Sequence, residues 1–189
     1  MGESTAIRFG HFDPRRNLPV ATGRKRGETR FVCSFARTLS ATLFPCGAGG
    51  RNFACNGYGI ADFVWLVPPT RIPTRARTTP VPVARTPSPV VPGVLYAFEA
   101  KLSDWRRALQ QAYRYSYFSD KAIVVLPRSR AGRVLDFLSL FRAIGIGLWL
   151  YDATTEQVRK VHTPRRCTAK NPRARATVIG AIVSRAKLC

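Results

Sequence analysis

Residues 96–105 read YAFEAKLSDW, and this stretch sets an acid and a base two positions apart in an apolar run. Acids are scarce in the chain, which has 10 of them against 31 lysines and arginines. Side chains two apart in a β-strand point to the same side. We therefore predict a strand over 94–102 with Glu99 and Lys101 on one face and Phe98 and Ala100 on the other.

The sequence after this strand alternates between helical and strand patterns. Ser103 or Asp104 can cap a helix that begins near Trp105. The run AIVVLP at 122–127 is continuously apolar, which is typical of a strand covered on both faces. Residues 133–145 predict an amphipathic helix that ends at a glycine, and 146–152 predict a final strand.

The sequence before the strand predicts a helix and a hairpin. Apolar residues recur at helical spacing from Glu28 onward, at 31, 32, 35, 39 and 43. The run CGAGGRN at 46–52 is interpreted as a glycine-rich turn, since it lacks the GK[ST] ending of a phosphate-binding loop. A β-hairpin over 53–67 is predicted to turn at Asn56 and Gly57. The predicted core over 28–152 is therefore of α/β class.

Three segments lie outside this pattern. Residues 1–27 are polar and basic and are interpreted as a flexible arm. Residues 68–93 mix Pro, Thr and Arg without periodicity and predict an insertion without regular structure. Residues 153–189 are interpreted as a basic tail, acid-free from 157, that can start a helix at Asn171 and Pro172.

The net charge of the chain is +21, with a pI of about 11.2. Such a charge attracts polyanions, which favours nucleic acid as the partner over an anionic membrane surface. A compositional bias toward arginine is the alternative explanation, because the charge is spread along the whole chain. A hydrophobic fraction of 46% is enough for a buried core. The composition leaves a homodimer open.

Cysteine usage argues against a zinc site and for a reducing compartment. The five cysteines form no CxxC pair, and the two histidines are far apart in sequence. An odd cysteine count without a signal peptide predicts a cytoplasmic protein. Because no apolar stretch approaches about 20 residues, we expect no membrane span.

A second acid, Asp62, lies in the apolar run IADFVWL. If the hairpin strand pairs with the 94–102 strand, Asp62 and Glu99 can converge. Two buried carboxylates repel each other, and a divalent cation such as Mg²⁺ offsets that repulsion. A lysine nearby can then orient water or offset developing charge. An ion pair at a sheet edge is the alternative interpretation of the Glu99–Lys101 pair.

These residues resemble the PD-(D/E)xK nuclease superfamily over 53–127. Asp62 matches the motif aspartate, and EAK at 99–101 matches the (D/E)xK strand. Gln111 and Tyr115 match the QxxxY pattern of the RecB-like branch. Ala61 stands where many members have proline. The resemblance implies a restriction-endonuclease-like αβββαβ core, a mixed sheet flanked by helices.

The resemblance also implies a metal-dependent nuclease. Asp62, Glu99 and the Ala100 carbonyl would hold Mg²⁺ or Mn²⁺, and Lys101 would position the attacking water. Gln111 would fix Lys101 or a phosphate, and Tyr115 would brace the strand or substrate. Glu28, the acid available in the first helix, is either a further metal ligand or a residue stabilised by the helix dipole.

The expected partner is nucleic acid, with DNA favoured, and the expected enzyme is an (endo)nuclease, with endo and exo cleavage both left open. The backbone-contacting candidates are Arg106, Arg107, Arg114, Arg165, Arg166, Arg173 and Arg175. Contacts of arginine to phosphate carry no base information, so binding without sequence preference is expected. The alternative is a catalytically inactive nuclease-like protein that binds nucleic acid or serves as a scaffold.

Overall fold

The computed structural model describes residues 10–11, 24–55, 57–69 and 93–184. Most of the predicted arm, and residues 70–92 of the predicted insertion, lie outside the described residues. The predictions for those segments therefore stay predictions. No described helix is both long enough and apolar enough to cross a bilayer.

A mixed sheet forms the centre of the fold. In the described part of the chain it has seven strands whose spatial order follows the sequence. The strands are β1 (Gly10–His11), β2 (Ala48–Cys55), β3 (Gly59–Val67), β4 (Val94–Ala100), β5 (Lys121–Pro127), β6 (Gly147–Asp152) and β7 (Gln157–His162). Neighbouring strands from β1 to β4 pair antiparallel, those from β4 to β6 pair parallel, and β7 is antiparallel to β6.

Helices cover both faces of this sheet. They are α1 (Arg24–Thr38), α2 (Trp105–Tyr115), α3 (Ala131–Leu135), α4 (Leu138–Ala143) and α5 (Pro172–Val183). Helix α1 packs on one face, and α2, α4 and α5 contribute to the core on the other. The α/β class and the order of one helix, three strands, a helix and a strand are confirmed.

The core beneath α1 is aromatic. Phe35 is fully buried, and its ring centre lies 5.3 Å from that of Phe98 and 6.4 Å from that of Trp149. Burial of each such side chain stabilises the fold by about 1.5–3 kcal/mol. Phe98 and Ala100 belong to this face, as the strand alternation predicts.

Helix α1 begins earlier than predicted. It includes Arg24, so Glu28 lies in its second turn rather than at its start. The helix dipole acts mainly within the first turn, which weakens the dipole explanation for Glu28. A five-residue π-helical turn, Leu39–Leu43, follows before Pro45.

The glycine-rich turn predicted at 46–52 is wrong, since β2 begins at Ala48. A Cβ atom at Gly49 would overlap the Val64 carbonyl oxygen and the Trp65 ring on the neighbouring strand. Glycine is therefore present because β2 and β3 approach closely here, a use of glycine that resembles turn sequence when the partner strand is unknown.

The single helix predicted over 133–145 is also wrong. The structure has a 3₁₀ turn, Arg128–Arg130, and two short helices, α3 and α4, separated at Asp136 and Phe137. Phe137 turns toward Trp105, with ring centres 4.7 Å apart. This contact with α2 competes with a continuous helix.

The segment predicted as a tail belongs to the fold. Strand β7 pairs with β6, so the strand at 146–152 is not the last one. The helix predicted at Asn171 and Pro172 is confirmed, with the Asn171 side chain accepting a hydrogen bond from Ala174 N. Buried Val178 and Ile182 attach α5 to the core.

Candidate active site

The site forms where β3 and β4 separate. Their pairing runs from Val67–Val94 to Phe63–Phe98 and goes no further along the described strands. At the next position Asp62 Oδ2 accepts a hydrogen bond of 2.9 Å from Ala100 N. The carboxylate thus takes the place of a backbone acceptor that the diverging strand no longer provides.

Glu99 lies on the face of β4 that is covered by α2. Its side chain is 0% exposed, and its Oε2 lies 2.5 Å from the hydroxyl of Tyr115. The same hydroxyl lies 2.7 Å from the carbonyl oxygen of Ile60. Helix α2 begins after Asp104, which caps it by accepting a hydrogen bond from Arg107 N. Tyr115 therefore links Glu99 to the start of β3.

Lys101 lies among three carboxylates. Its Nζ is 3.0 Å from Glu99 Oε1, and 3.9 Å from Asp62 Oδ2. Glu28 Oε2 reaches the same nitrogen from α1 at 3.9 Å. The predicted strand over 94–102 ends at Ala100, so Lys101 lies just beyond it, but its side chain projects together with that of Glu99 as predicted. The predicted convergence of Asp62 with Glu99 is confirmed.

The charges of this cluster do not balance. Three carboxylates and one ammonium leave a formal charge of −2 when all four groups are ionised. Glu99 Oε1 is buried and has no aligned hydrogen-bond partner in the described part of the chain, although the ammonium of Lys101 lies close to it. An uncompensated buried carboxylate is unfavourable in a folded protein.

Burial, and after it the nearby Asp62 carboxylate, raise the pKa of Glu99 to about 7 against the lowering effects of Tyr115 and Lys101. Burial also raises the pKa of Asp62. Burial alone would lower the pKa of Lys101, but the surrounding carboxylates raise it above its ordinary value. Lys101 is therefore an ammonium at neutral pH.

Gln111 lies one turn before Tyr115 on α2. It is half-buried, and its Oε1 is another buried atom without a hydrogen-bond partner among the described residues. Two buried oxygens without an aligned hydrogen-bond partner among the described residues, of Glu99 and Gln111, thus occur among the few residues that the motif singled out.

The oxygen donors suit a hard divalent cation. Asp62 and Glu99 supply carboxylates, and the −2 charge of the cluster fits Mg²⁺ or Mn²⁺ in chemistry, although the Lys101 ammonium lies 3.0 Å from Glu99 Oε1. The described residues, however, contain no group of three or more His, Cys, Asp or Glu placed to hold a metal ion. The cation among these carboxylates in the structure is the Lys101 ammonium.

Comparison with known proteins supports the fold only. A similar solved structure is the SPO1766 protein of unknown function from Silicibacter pomeroyi, with a TM-score of 0.52. The two chains are 16% identical, and the match covers 83% of this chain and 82% of that chain. No family model and no curated protein matches this chain.

The predicted backbone-contacting arginines fall into two groups. Six are exposed, Arg106, Arg107 and Arg114 on α2 and Arg165, Arg166 and Arg173 near the C-terminus. Arg106 stacks over the Trp105 ring at 4.6 Å. The seventh, Arg175, is engaged within the fold, which argues against the predicted phosphate contact, and exposed Arg166 also donates a hydrogen bond to the Gly93 carbonyl oxygen.

Sequence reasoning missed the partner of Arg175. Its Nε and Nη2 donate to the two carboxylate oxygens of buried Asp120 at 2.9 and 2.7 Å. Asp120 Oδ2 also accepts a hydrogen bond from Leu95 N at the start of β4. The two residues are 55 apart in sequence, and no local pattern links them.

Proposed function

We propose that this protein is a metal-dependent hydrolase of phosphodiester bonds in nucleic acid, with DNA the favoured substrate. The observation that carries the proposal is the meeting of Asp62, Glu99 and Lys101 where β3 and β4 separate. Acids are scarce in this basic chain, and buried Glu99 and half-buried Asp62 are held together without full compensation of their charge.

Each residue has a role that its contacts support. Asp62 and Glu99, with the Ala100 carbonyl, would hold the cation, which supplies Lewis-acid activation of water. Lys101 can donate hydrogen bonds to the attacking water or to a phosphate oxygen. Tyr115 orients Glu99 through its hydroxyl.

Substrate binding rests on charge. The net charge of +21 favours a polyanion, and the exposed arginines of α2 lie on the helix that carries Tyr115. Phosphate contacts give affinity without sequence preference. We therefore expect binding that weakens steeply as salt rises, because counterions are released.

The second candidate is an inactive nucleic-acid-binding protein. It is favoured by the ion pairs of Lys101 with all three carboxylates, since these already provide a cation to the cluster. The two candidates differ in whether a divalent cation enters the cluster and whether strands are cut.

The deciding experiment is a cleavage assay on single- and double-stranded DNA and RNA with Mg²⁺ or Mn²⁺. Glu99→Gln keeps the shape of the side chain but removes its charge, and it should abolish cleavage. Lys101→Ala should slow cleavage by about 10²-fold or more. Glu156→Gln is the matched control, because this glutamate is 58% exposed in a surface ion pair with Arg37.

The control distinguishes cleavage by the acid cluster from cleavage by a contaminating nuclease. Glu156→Gln should cleave like the wild type. If Glu99→Gln retains wild-type activity after parallel purification, the activity belongs to a contaminant. The second candidate, an inactive nucleic-acid-binding protein, then replaces the proposed hydrolase.

A further inference from the structure

A cleft of about 480 Å³ opens beyond the carboxyl ends of the parallel strands. Its lining residues lie at or just after the carboxyl ends of β4, β5 and β6, together with a residue of α1, and they include Phe31, Leu102, Arg128, Tyr151, Asp152 and Ala153. Open α/β sheets bind ligands in this position, outside the carboxyl ends of their strands. The volume is also in the range of ligand sites.

The cleft adjoins the acid cluster on two elements. Leu102 directly follows Lys101, and Phe31 lies nearly one helical turn after Glu28, whose carboxylate pairs with Lys101. One helical turn spans about 5.4 Å. A nucleic-acid strand with its scissile phosphate at Asp62 and Glu99 would therefore have a neighbouring nucleotide at this cleft.

The walls of the cleft are held in place before any ligand binds. The hydroxyl of Tyr151 is hydrogen-bonded to Ser34 Oγ at 2.7 Å and to Thr38 Oγ1 at 3.0 Å, which fixes the ring against α1. On the rim, Asp152 Oδ1 accepts hydrogen bonds from Thr154 N and Thr155 N. A preformed site loses little conformational entropy on binding.

The lining combines apolar side chains with one exposed cation. The guanidinium of Arg128 makes no ion pair or hydrogen bond with another described residue, although it interacts electrostatically with Asp152 in the same lining. Asp152 is the acid of the lining, and its Oδ1 is already used by two backbone N–H groups. An apolar wall suits a base, and an arginine suits the attached phosphate.

We propose that this cleft binds one unpaired nucleotide next to the scissile bond, with the base in the apolar part and its phosphate on Arg128. The inference rests on the proposed function, and it specifies that function as acting on a single strand or a frayed end. A base within a duplex would first have to leave its stack, which is unfavourable.

The test measures binding without cleavage, in a Glu99→Gln background. The probes are a fluorescent single-stranded oligonucleotide, as DNA and as RNA, and a blunt duplex of the same sequence. Arg128→Ala should weaken single-strand binding by about tenfold, the loss of one charge-assisted hydrogen bond. The slope of log affinity against log salt should fall by about 0.7.

Two further variants distinguish binding in the cleft from nonspecific electrostatic attraction to the basic protein surface. Arg133→Ala removes an exposed arginine of α3 that does not line the cleft, and it should have a much smaller effect. Ala153→Phe fills the cleft without changing charge, and it should weaken single-strand binding while leaving duplex binding unchanged.

Several outcomes would overturn the proposal. One is an equal loss of single-strand affinity from Arg128→Ala and Arg133→Ala. Another is an equal loss of affinity for the single-stranded and the duplex oligonucleotide. The third is that the Glu99→Gln protein does not bind the single-stranded oligonucleotide. If wild-type protein never cleaves but the cleft variants lose single-strand binding selectively, the cleft proposal stands and the proposed hydrolysis fails. Comparing DNA with RNA tells which nucleic acid the cleft prefers.

Discussion

Strand β4 has a buried carboxylate near each end, and the two are treated in opposite ways. At its start, Asp120 accepts hydrogen bonds from Leu95 N and from two nitrogens of Arg175. At its far end, Glu99 has one oxygen on Tyr115 and another without an aligned partner among the described residues. One carboxylate is fully compensated, and the other is not.

The difference separates a structural acid from a functional candidate. Asp120 belongs to a closed set, since Arg175 pairs with it directly and Arg166 lies 3.8 Å away. The Glu99 cluster has more carboxylates than cations. Burial therefore does not by itself mark a catalytic acid. Buried charge that the fold leaves uncompensated is the stronger indication, because it is unfavourable unless a ligand offsets it.

The largest expected effect is on stability and tests this contrast directly. Asp120→Asn should lower the free energy of unfolding by about 3 kcal/mol, because Arg175 then stays buried without its counter-charge. Glu99→Gln, the same kind of change at the other end of β4, should leave the free energy of unfolding unchanged or raise it. Urea unfolding of both variants without metal at pH 8 measures the two values. Equal losses would show that the ends do not differ.

From the sequence, the Glu99 end of β4 could be predicted but the Asp120 end could not. The period-two alternation of a strand was enough to predict that Glu99 and Lys101 share a face, because that relation is local. The Asp104 cap and the apolar β5 run are local as well, and both are confirmed. The convergence of Asp62 with Glu99 required β3 to pair with β4, a condition that no local pattern supplies and that the fold meets.

The rest depended on contacts distant in sequence. Asp120 appeared as an acid after a helix, and only the folded chain brings Arg175 to it. Strand β7 is an edge strand among the described residues, with exposed Arg159 and Lys160, so its sequence lacks the apolar alternation of inner strands. The cleft could not be predicted, because its lining comes from four separate segments.

The pH dependence of stability is the next largest expected effect. The raised pKa of Glu99, about 7 in the fold against an ordinary value of 4.5, means that the folded state holds this proton more tightly than the unfolded chain. The resulting stabilisation is full below about pH 4.5 and is lost as pH rises through about 7. Metal-free wild type should therefore lose on the order of 2 kcal/mol relative to Glu99→Gln across this window.

Unfolding in urea with EDTA at several pH values between 4.5 and 8 gives the difference between the two proteins. The control is Glu156→Gln, whose difference from wild type should stay flat because this carboxylate is exposed. A flat difference for Glu99→Gln as well would mean that the Glu99 carboxylate is compensated like that of Asp120.

The smallest effect concerns the cation that the cluster already contains. Lys101 Nζ lies within 3.0–3.9 Å of three carboxylate oxygens, so a divalent cation at the same oxygens would meet a like charge nearby. Lys101→Met should therefore tighten Mn²⁺ binding by about tenfold, or about 1.4 kcal/mol, although under the proposed function it should slow hydrolysis. Lys121→Met, at the opposite end of the parallel strands, should leave Mn²⁺ affinity unchanged. Titration calorimetry with Mn²⁺ measures both variants. Weaker binding by Lys101→Met would mean that the lysine helps to build the metal site, and the cluster would then be a preorganised centre like that of Asp120 rather than an uncompensated one.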